Sequence, residues 1–329
     1  MKKELALCLS VYLFIGFASC KSDSDKNTQT PEKEVSITVV SSTVPLADPF
    51  ILLYDSLYYI YGTNAGNGFD VYCSKDLERW VQASALALSH TNSYGESMYW
   101  APEVYYVEKE KKFYMYYSAE EHICVATSDS PSGPFKQDEK KPIHEEKGID
   151  ASVFFDENGK AYLYFVRFTD GNVIWCAELE DDLEKIKEET LTQCFVADEP
   201  WELIQPKVVE GPSIIKQDGI YYLMYSANDY RNQDYAVGFA TSGSPFGPWK
   251  KYEENPVLHK YGGLYGAGHG APFYDKEGKM RYVFHAHKSQ TEVHPRNSFI
   301  VDMSVKEGII SAGGNLVRPM VIDKLPEDQ

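Results

Sequence analysis

Five stretches of this chain repeat one order: a short apolar strand, a tight polar turn, then an aromatic strand. The turns are Asp55-Ser56, Glu108-Lys109-Glu110-Lys111, Asp156-Glu157-Asn158-Gly159, Gln217-Asp218-Gly219 and Asp275-Lys276-Glu277-Gly278. Each follows an apolar run such as Ile51-Leu52-Leu53-Tyr54 or Val153-Phe154-Phe155. Each precedes an aromatic one, such as Leu57 to Tyr61, Phe113 to Tyr117 or Ile220 to Tyr225. Strand, turn and strand at this spacing predict a β-hairpin, and a hairpin recurring at a fixed period predicts a repeat architecture.

A third strand follows in the first four units, as in Phe69 to Cys73, His122 to Thr127, Val173 to Leu179 and Tyr235 to Thr241. A turn and a fourth segment come next, with related wording in Ser130-Pro131-Ser132-Gly133-Pro134-Phe135 and Ser244-Pro245-Phe246-Gly247-Pro248-Trp249. The fold class expected is all-β: a five-bladed β-propeller with four-stranded antiparallel blades. Helical periodicity is confined to about Asp181 to Glu189.

In a propeller the first strand of every blade lines the central axis, so the residues that open the five repeats meet at one mouth of the channel. Those heads read Asp48-Pro49-Phe50, Trp100-Ala101-Pro102-Glu103, Asp150-Ala151-Ser152, Glu210-Gly211-Pro212 and His269-Gly270-Ala271. Three carboxylates gathered around a narrow channel are costly to bury. Their mutual repulsion and desolvation drive their pKa values apart, which suits acid–base chemistry. Glycoside hydrolysis needs such a pair, and inversion at the anomeric carbon calls for a gap of roughly 6.5–9.5 Å that admits a water.

The ends of the chain and its charge bound the setting. Met1-Lys2-Lys3, an apolar run from Leu5 to Phe17 and Ala18-Ser19-Cys20 predict a lipoprotein signal peptide over 1–19, with Cys20 lipidated. Residues 20–34 are polar and read as a flexible tether, leaving 35–329 as a single catalytic propeller. The expected location is periplasmic or cell-surface, anchored through Cys20. The net charge is −17, and −18 without residues 1–19, which argues against nucleic acid and for a neutral oligosaccharide or polysaccharide as partner of a monomer. Cys73, Cys124 and Cys176 fall at similar points of successive repeats, so with Cys194 they read as free thiols rather than a disulfide framework.

Taken as an ordered set on repeat heads, Asp48-Pro49-Phe50, Trp100-Ala101-Pro102-Glu103, Ile149-Asp150-Ala151-Ser152-Val153-Phe154 and Glu210-Gly211-Pro212-Ser213 resemble glycoside hydrolase family 43. The resemblance runs from about Val44 to Val321. It implies Asp48 as general base, Glu210 as general acid and Asp150 as the carboxylate that orients the acid and raises its pKa. It also implies substrate contacts for His269 and Arg296, with His269 facing the channel and holding water or a calcium ion through waters. Trp100 is placed to stack on a sugar ring, while Glu103 lies past the proline and is not one of the family's three acids. No cofactor is required for the chemistry.

The activity implied is inverting hydrolysis of terminal pentose units, foremost α-L-arabinofuranosyl residues. β-Xylosidase, endo-arabinanase and exo-β-1,3-galactanase share the scaffold. The chain ends soon after its fifth unit, which is expected to favour arabinofuranosidase over β-xylosidase. A non-catalytic glycan-binding lipoprotein is the alternative of another class, and loss of one of the three acids would mark it.

Overall fold

A computed structural model describes residues 42–204 and 206–325. The expected signal peptide, tether and lipidated Cys20 lie outside the described residues. The rest is a five-bladed β-propeller. Its innermost strands are Ala47–Tyr54, Trp100–Val107, Gly148–Phe155, Val209–Gln217 and Gly268–Tyr274, and each starts an antiparallel sheet running outward in chain order. Each innermost strand lies beside those of the two neighbouring blades, and the first meets the fifth, so the strands form a closed ring.

The aromatic second strands explain why the ring closes. Their side chains point alternately to two faces, and each face feeds a different core. In the second blade Phe113, Met115 and Tyr117 pack toward the first blade, whereas Tyr114 and Tyr116 pack toward the third. In the fourth, Leu223 and Tyr225 join the third blade's Tyr164 and Val166, while Tyr222 and Met224 join the fifth blade's Tyr282 and Phe284. The last core joins Ile51, Ile60 and Trp80 of the first blade to Phe273, Val283 and Ile300 of the fifth. Near-continuous apolar runs are therefore required, because both faces of these strands are buried.

Two strands late in the chain complete the fifth blade: Asn297–Lys306 and Ile309–Val317, the former being a third strand that the sequence assigns only to the first four units. Met320–Val321 then adds in parallel to the outer strand Arg79–Ser89 of the first blade. The second blade departs from the expected four strands. Its outer segment is reduced to a single bridge, Thr127 to Lys136. Phe135 instead donates its amide to Ala87 of the first blade at 2.7 Å. The stretch with helical periodicity forms turns and one 3-10 turn, Glu188–Thr190. It offers Leu183 and Ile186 as apolar contacts but no continuous apolar stripe. The four cysteines are free thiols, with Cys124 and Cys176 buried and Cys73 and Cys194 partly so.

Candidate active site

Every innermost strand is bulged at its head. The register with the second strand slips between Ala47 and Phe50, Trp100 and Glu103, Ile149 and Ser152, Glu210 and Ser213, and Gly268 and Gly270. Within each bulge one residue has positive φ: Asp48 (50°), Ala101 (46°), Asp150 (61°), Gly211 (57°) and His269 (40°). These five residues are the structural equivalents. Left-handed backbone at a non-glycine residue costs roughly 1–2 kcal/mol, and here it re-aims the strand end at the axis, as bulges beside active sites do. Glu210 and Trp100 stand one residue earlier, so the heads form two tiers. Asp48, Asp150 and His269 occupy one, Glu210 and Trp100 the other.

All six predicted site residues, Asp48, Trp100, Asp150, Glu210, His269 and Arg296, line one cavity of about 290 Å³, together with Asn172 and Tyr230. Asp48 is the hub. Arg296 Nη1 donates to Asp48 Oδ1 at 2.8 Å and Nη2 to Oδ2 at 3.3 Å, in a forked arrangement. His269 Nδ1 lies 3.3 Å from the same Oδ1 and 3.8 Å from Asp150 Oδ2. Arg296 is itself supported from below, its guanidinium lying 4.4 Å from the centre of the Tyr230 ring.

The three acids, Asp48 and Asp150 buried and Glu210 partly so, titrate apart. Burial by itself raises the pKa of Asp48, yet the charge of Arg296, with the His269 ring beside it, outweighs it and holds Asp48 well below the usual carboxylate range. Asp150 is raised to about 7 by burial and then by the nearby charge of Asp48. Glu210 is raised to about 7 by burial and then by the charge of Asp150. One carboxylate is thus ionised across the working range, while a neighbouring pair holds a proton close to neutrality.

Glu210 is fixed by two donors. Asn172 Nδ2 reaches Oε2 at 2.9 Å, and the Tyr235 hydroxyl reaches Oε1 at 2.8 Å. The Tyr235 ring stacks on His285, with centroids 5.7 Å apart and planes 12° from parallel. His285 is fully buried, and burial followed by the charge of Arg296 lowers its pKa to about 3, so it is neutral beside Asp48. Tyr235, Asn172, His285 and Tyr230 were not singled out by the sequence. Tyr235, Asn172 and His285 share one signal, a place at or next to the channel end of a strand in the same repeat frame as the heads, whereas Tyr230 lies in the loop between Ile220–Ala227 and Ala236–Ser242.

Glu103 lies deeper, in a second small axial space shared with Asp48, Asp150 and His269. It is hydrogen-bonded by Tyr105, and burial raises its pKa to about 8. That describes a neutral structural carboxyl below the floor, in keeping with its position past the proline. Among the described residues no group of three or more His, Cys, Asp or Glu side chains is arranged to hold a metal ion.

Proteins similar to this chain include glycoside hydrolases. Fifty-four per cent of aligned residues are identical to those of a Bacteroides thetaiotaomicron protein described as an endo-1,4-β-xylanase; the overlap covers 86% of this chain and 99% of that one, with a TM-score of 0.83. A thermostable family-43 glycoside hydrolase is 34% identical over 86% of this chain and 96% of its own, with a TM-score of 0.78. Among curated enzymes, a β-D-galactofuranosidase of Aspergillus niger is 28% identical over 62% of each chain. A xylan 1,3-β-xylosidase of Vibrio is 29% identical over 68% of this chain. The matched regions span 62% and 44% of the lengths of those two curated relatives. Residues 39–310 match the profile of glycosyl hydrolases family 43, and the chain belongs to that family.

Proposed function

We propose that this glycoside hydrolase removes terminal pentosyl units with inversion, acting first on α-L-arabinofuranosides of plant-type polysaccharides and their fragments. The observation that carries the reading is the pairing in one cavity of Asp48, kept ionised by Arg296, with Glu210, kept protonated to about pH 7. Asp48 takes a proton from a water as that water's oxygen bonds to the anomeric carbon. Glu210 gives its proton to the glycosidic oxygen as the bond from the anomeric carbon to that oxygen breaks. Charge and protons balance in one displacement, with no covalent intermediate. Asp150 supplies the negative charge that keeps Glu210 protonated, and Arg296, His269 and Trp100 contact the sugar.

A cavity of about 290 Å³ is at the small end of ligand pockets and suits one terminal residue better than the interior of a polymer. A β-D-xyloside is the second reading, favoured by the 54% identity to the protein described as a xylanase. A panel of arabino-, xylo- and galacto-oligosaccharides and aryl glycosides, with NMR of the first-formed anomer, tests both. Retention of configuration overturns the mechanism, and absence of turnover on every glycoside overturns the enzymatic reading in favour of a glycan-binding protein. Export and anchoring through Cys20 form part of the proposal. Loss of lipid labelling and of membrane association in Cys20→Ser tests them.

A further inference from the structure

The amide of each head residue needs an acceptor, because it is buried in a bulge where the sheet ladder is broken. Four heads find it in the same place. The amide of Ala101 donates to Thr63 Oγ1 at 2.9 Å, that of Asp150 to Ser118 Oγ at 3.0 Å, that of His269 to Ser226 Oγ at 2.7 Å and that of Asp48 to His285 Nδ1 at 3.0 Å. The acceptor always comes from the second strand of the preceding blade. The register shows that the position is the same in every case, since Thr63, Ser118, Ser226 and His285 pair with Ala47, Trp100, Glu210 and Gly268, each directly before its head.

In the third blade that position pairs with Ile149 and is Val166, a fully buried residue with no polar side-chain atom. The fourth head, Gly211, therefore lacks the usual cap. Its amide donates instead to Asp150 Oδ2, at 3.1 Å. Gly211 is also held in place from the other side. At φ +57° a Cβ would lie 2.8 Å from the His269 ring, so the backbone sits against the imidazole that faces both Asp48 and Asp150.

We propose that Gly211 is a positioning residue for the reaction: the apolar Val166 leaves its amide free to grip Asp150, tying that carboxylate to the strand that carries Glu210. A cap on Gly211 and a clamp on Asp150 are alternatives for one N–H. Four blades use the first and the third-to-fourth junction uses the second. The result is that Asp150 and Glu210 are linked through one peptide unit and move together.

The inference rests on the reading of Glu210 as acid and Asp150 as its neighbour, and it is tested by restoring the missing acceptor. Val166→Thr keeps the size of the side chain and places at this position the residue that Thr63 supplies in the first blade, and Val166→Ala trims the side chain without adding a hydroxyl. The expected result for Val166→Thr is a fall in kcat of about tenfold, the worth of about one pKa unit of interaction, with KM unchanged. The fall is steeper for aryl glycosides with poor leaving groups than for those with good ones, since only the former need the acid. Val166→Ala keeps the wild-type dependence on leaving group. Equal behaviour of the two variants overturns the proposal.

A second measurement needs neither variant nor turnover. With selective ¹⁵N-glycine labelling, the Gly211 amide proton is expected to move upfield and to exchange faster in Asp150→Ala. A Gly211 amide indifferent to that change overturns the clamp even if the enzyme proves active and inverting. A shifted amide in a protein with no glycosidase activity would leave the clamp standing and remove only the function.

Discussion

Arg296 and Asp48 are 248 residues apart in the chain and 2.8 Å apart in the site. Arg296 closes the loop before the third strand of the fifth blade, and Asp48 opens the first strand of the first. The pair spans the junction where the ring closes, so the charge state of the base depends on the completed fold. Replacing Arg296 by Ala leaves a buried carboxylate unpaired, at a cost of about 3–5 kcal/mol. The pKa of Asp48 then rises. A depressed carboxylate stabilises the fold above its unfolded pKa, and that stability is lost as pH falls through the folded value. In Arg296→Ala the contribution disappears, and the acid limb of kcat/KM moves to higher pH. Urea unfolding at several pH values and a pH–rate profile check both outcomes.

Substituting Asp48 by Asn preserves the shape of the side chain but removes the base and one of the two oxygens that accept from Arg296. Turnover is expected to fall by on the order of a hundredfold to ten-thousandfold, with a lowered thermal transition but an intact fold. Steady-state kinetics with a differential scan of the same sample measures the two together.

Removing a donor from Glu210 has the opposite sign to removing its neighbour's charge. The Tyr235 hydroxyl bond favours the ionised acid, so Tyr235→Phe raises the Glu210 pKa and carries the alkaline limb of kcat/KM upward from about 7. Asp150→Asn deletes the negative charge beside Glu210 and carries that limb downward. The two profiles, recorded with one poor-leaving-group substrate, should move apart.

The same acids make stability depend on pH. Glu210 rises from 4.5 in its reference state to about 7 when folded, which contributes on the order of 3 kcal/mol below pH 4.5 that is lost as pH climbs through 7. The melting temperature of the wild type should therefore be higher at pH 5 than at pH 8. Glu210→Gln should narrow that difference, a result read directly by calorimetry.

Gly266 supports the site at a distance. At φ +57° a Cβ would stand 2.0 Å from His287 Nε2, which meets the Tyr230 carbonyl at 2.7 Å, and the Tyr230 ring underlies Arg296. Gly266→Ala is expected to cost about 1–3 kcal/mol through strain and overpacking and to raise KM more than it lowers kcat. A Tm shift paired with a Michaelis analysis checks it.

Much of this site was legible because repetition converts sequence spacing into spatial coincidence. Asp48, Asp150 and His269 fall at one mouth of a channel on sequence grounds alone, since each opens a unit of the same hairpin. The fine register was less legible. Glu210 and Trp100 look like heads in the sequence, yet the left-handed residues beside them are Gly211 and Ala101. Bulges slip the pairing by a residue without changing the apolar pattern that marks the strands. Tyr235 and His285 escaped notice for another reason. Aromatic residues crowd these strands, and nothing in composition separates a ring that stacks in a core from one that stacks beneath an acid. The missing fourth strand of the second blade was hidden by its likeness to the Ser-Pro segment of the fourth blade, which has prolines at the same places and does pair.

The alternating second strands have one more consequence. No blade owns a core: each hydrophobic cluster belongs to a pair of neighbours, and the fifth pair joins the end of the ring to its beginning. A single blade cut from the protein would present two bare greasy faces and have no interior of its own. Four blades without the fifth would leave Ile51, Ile60 and Trp80 facing water. Assembly is accordingly a matter of all or none, and the catalytic mouth comes into being only at the moment the circle shuts.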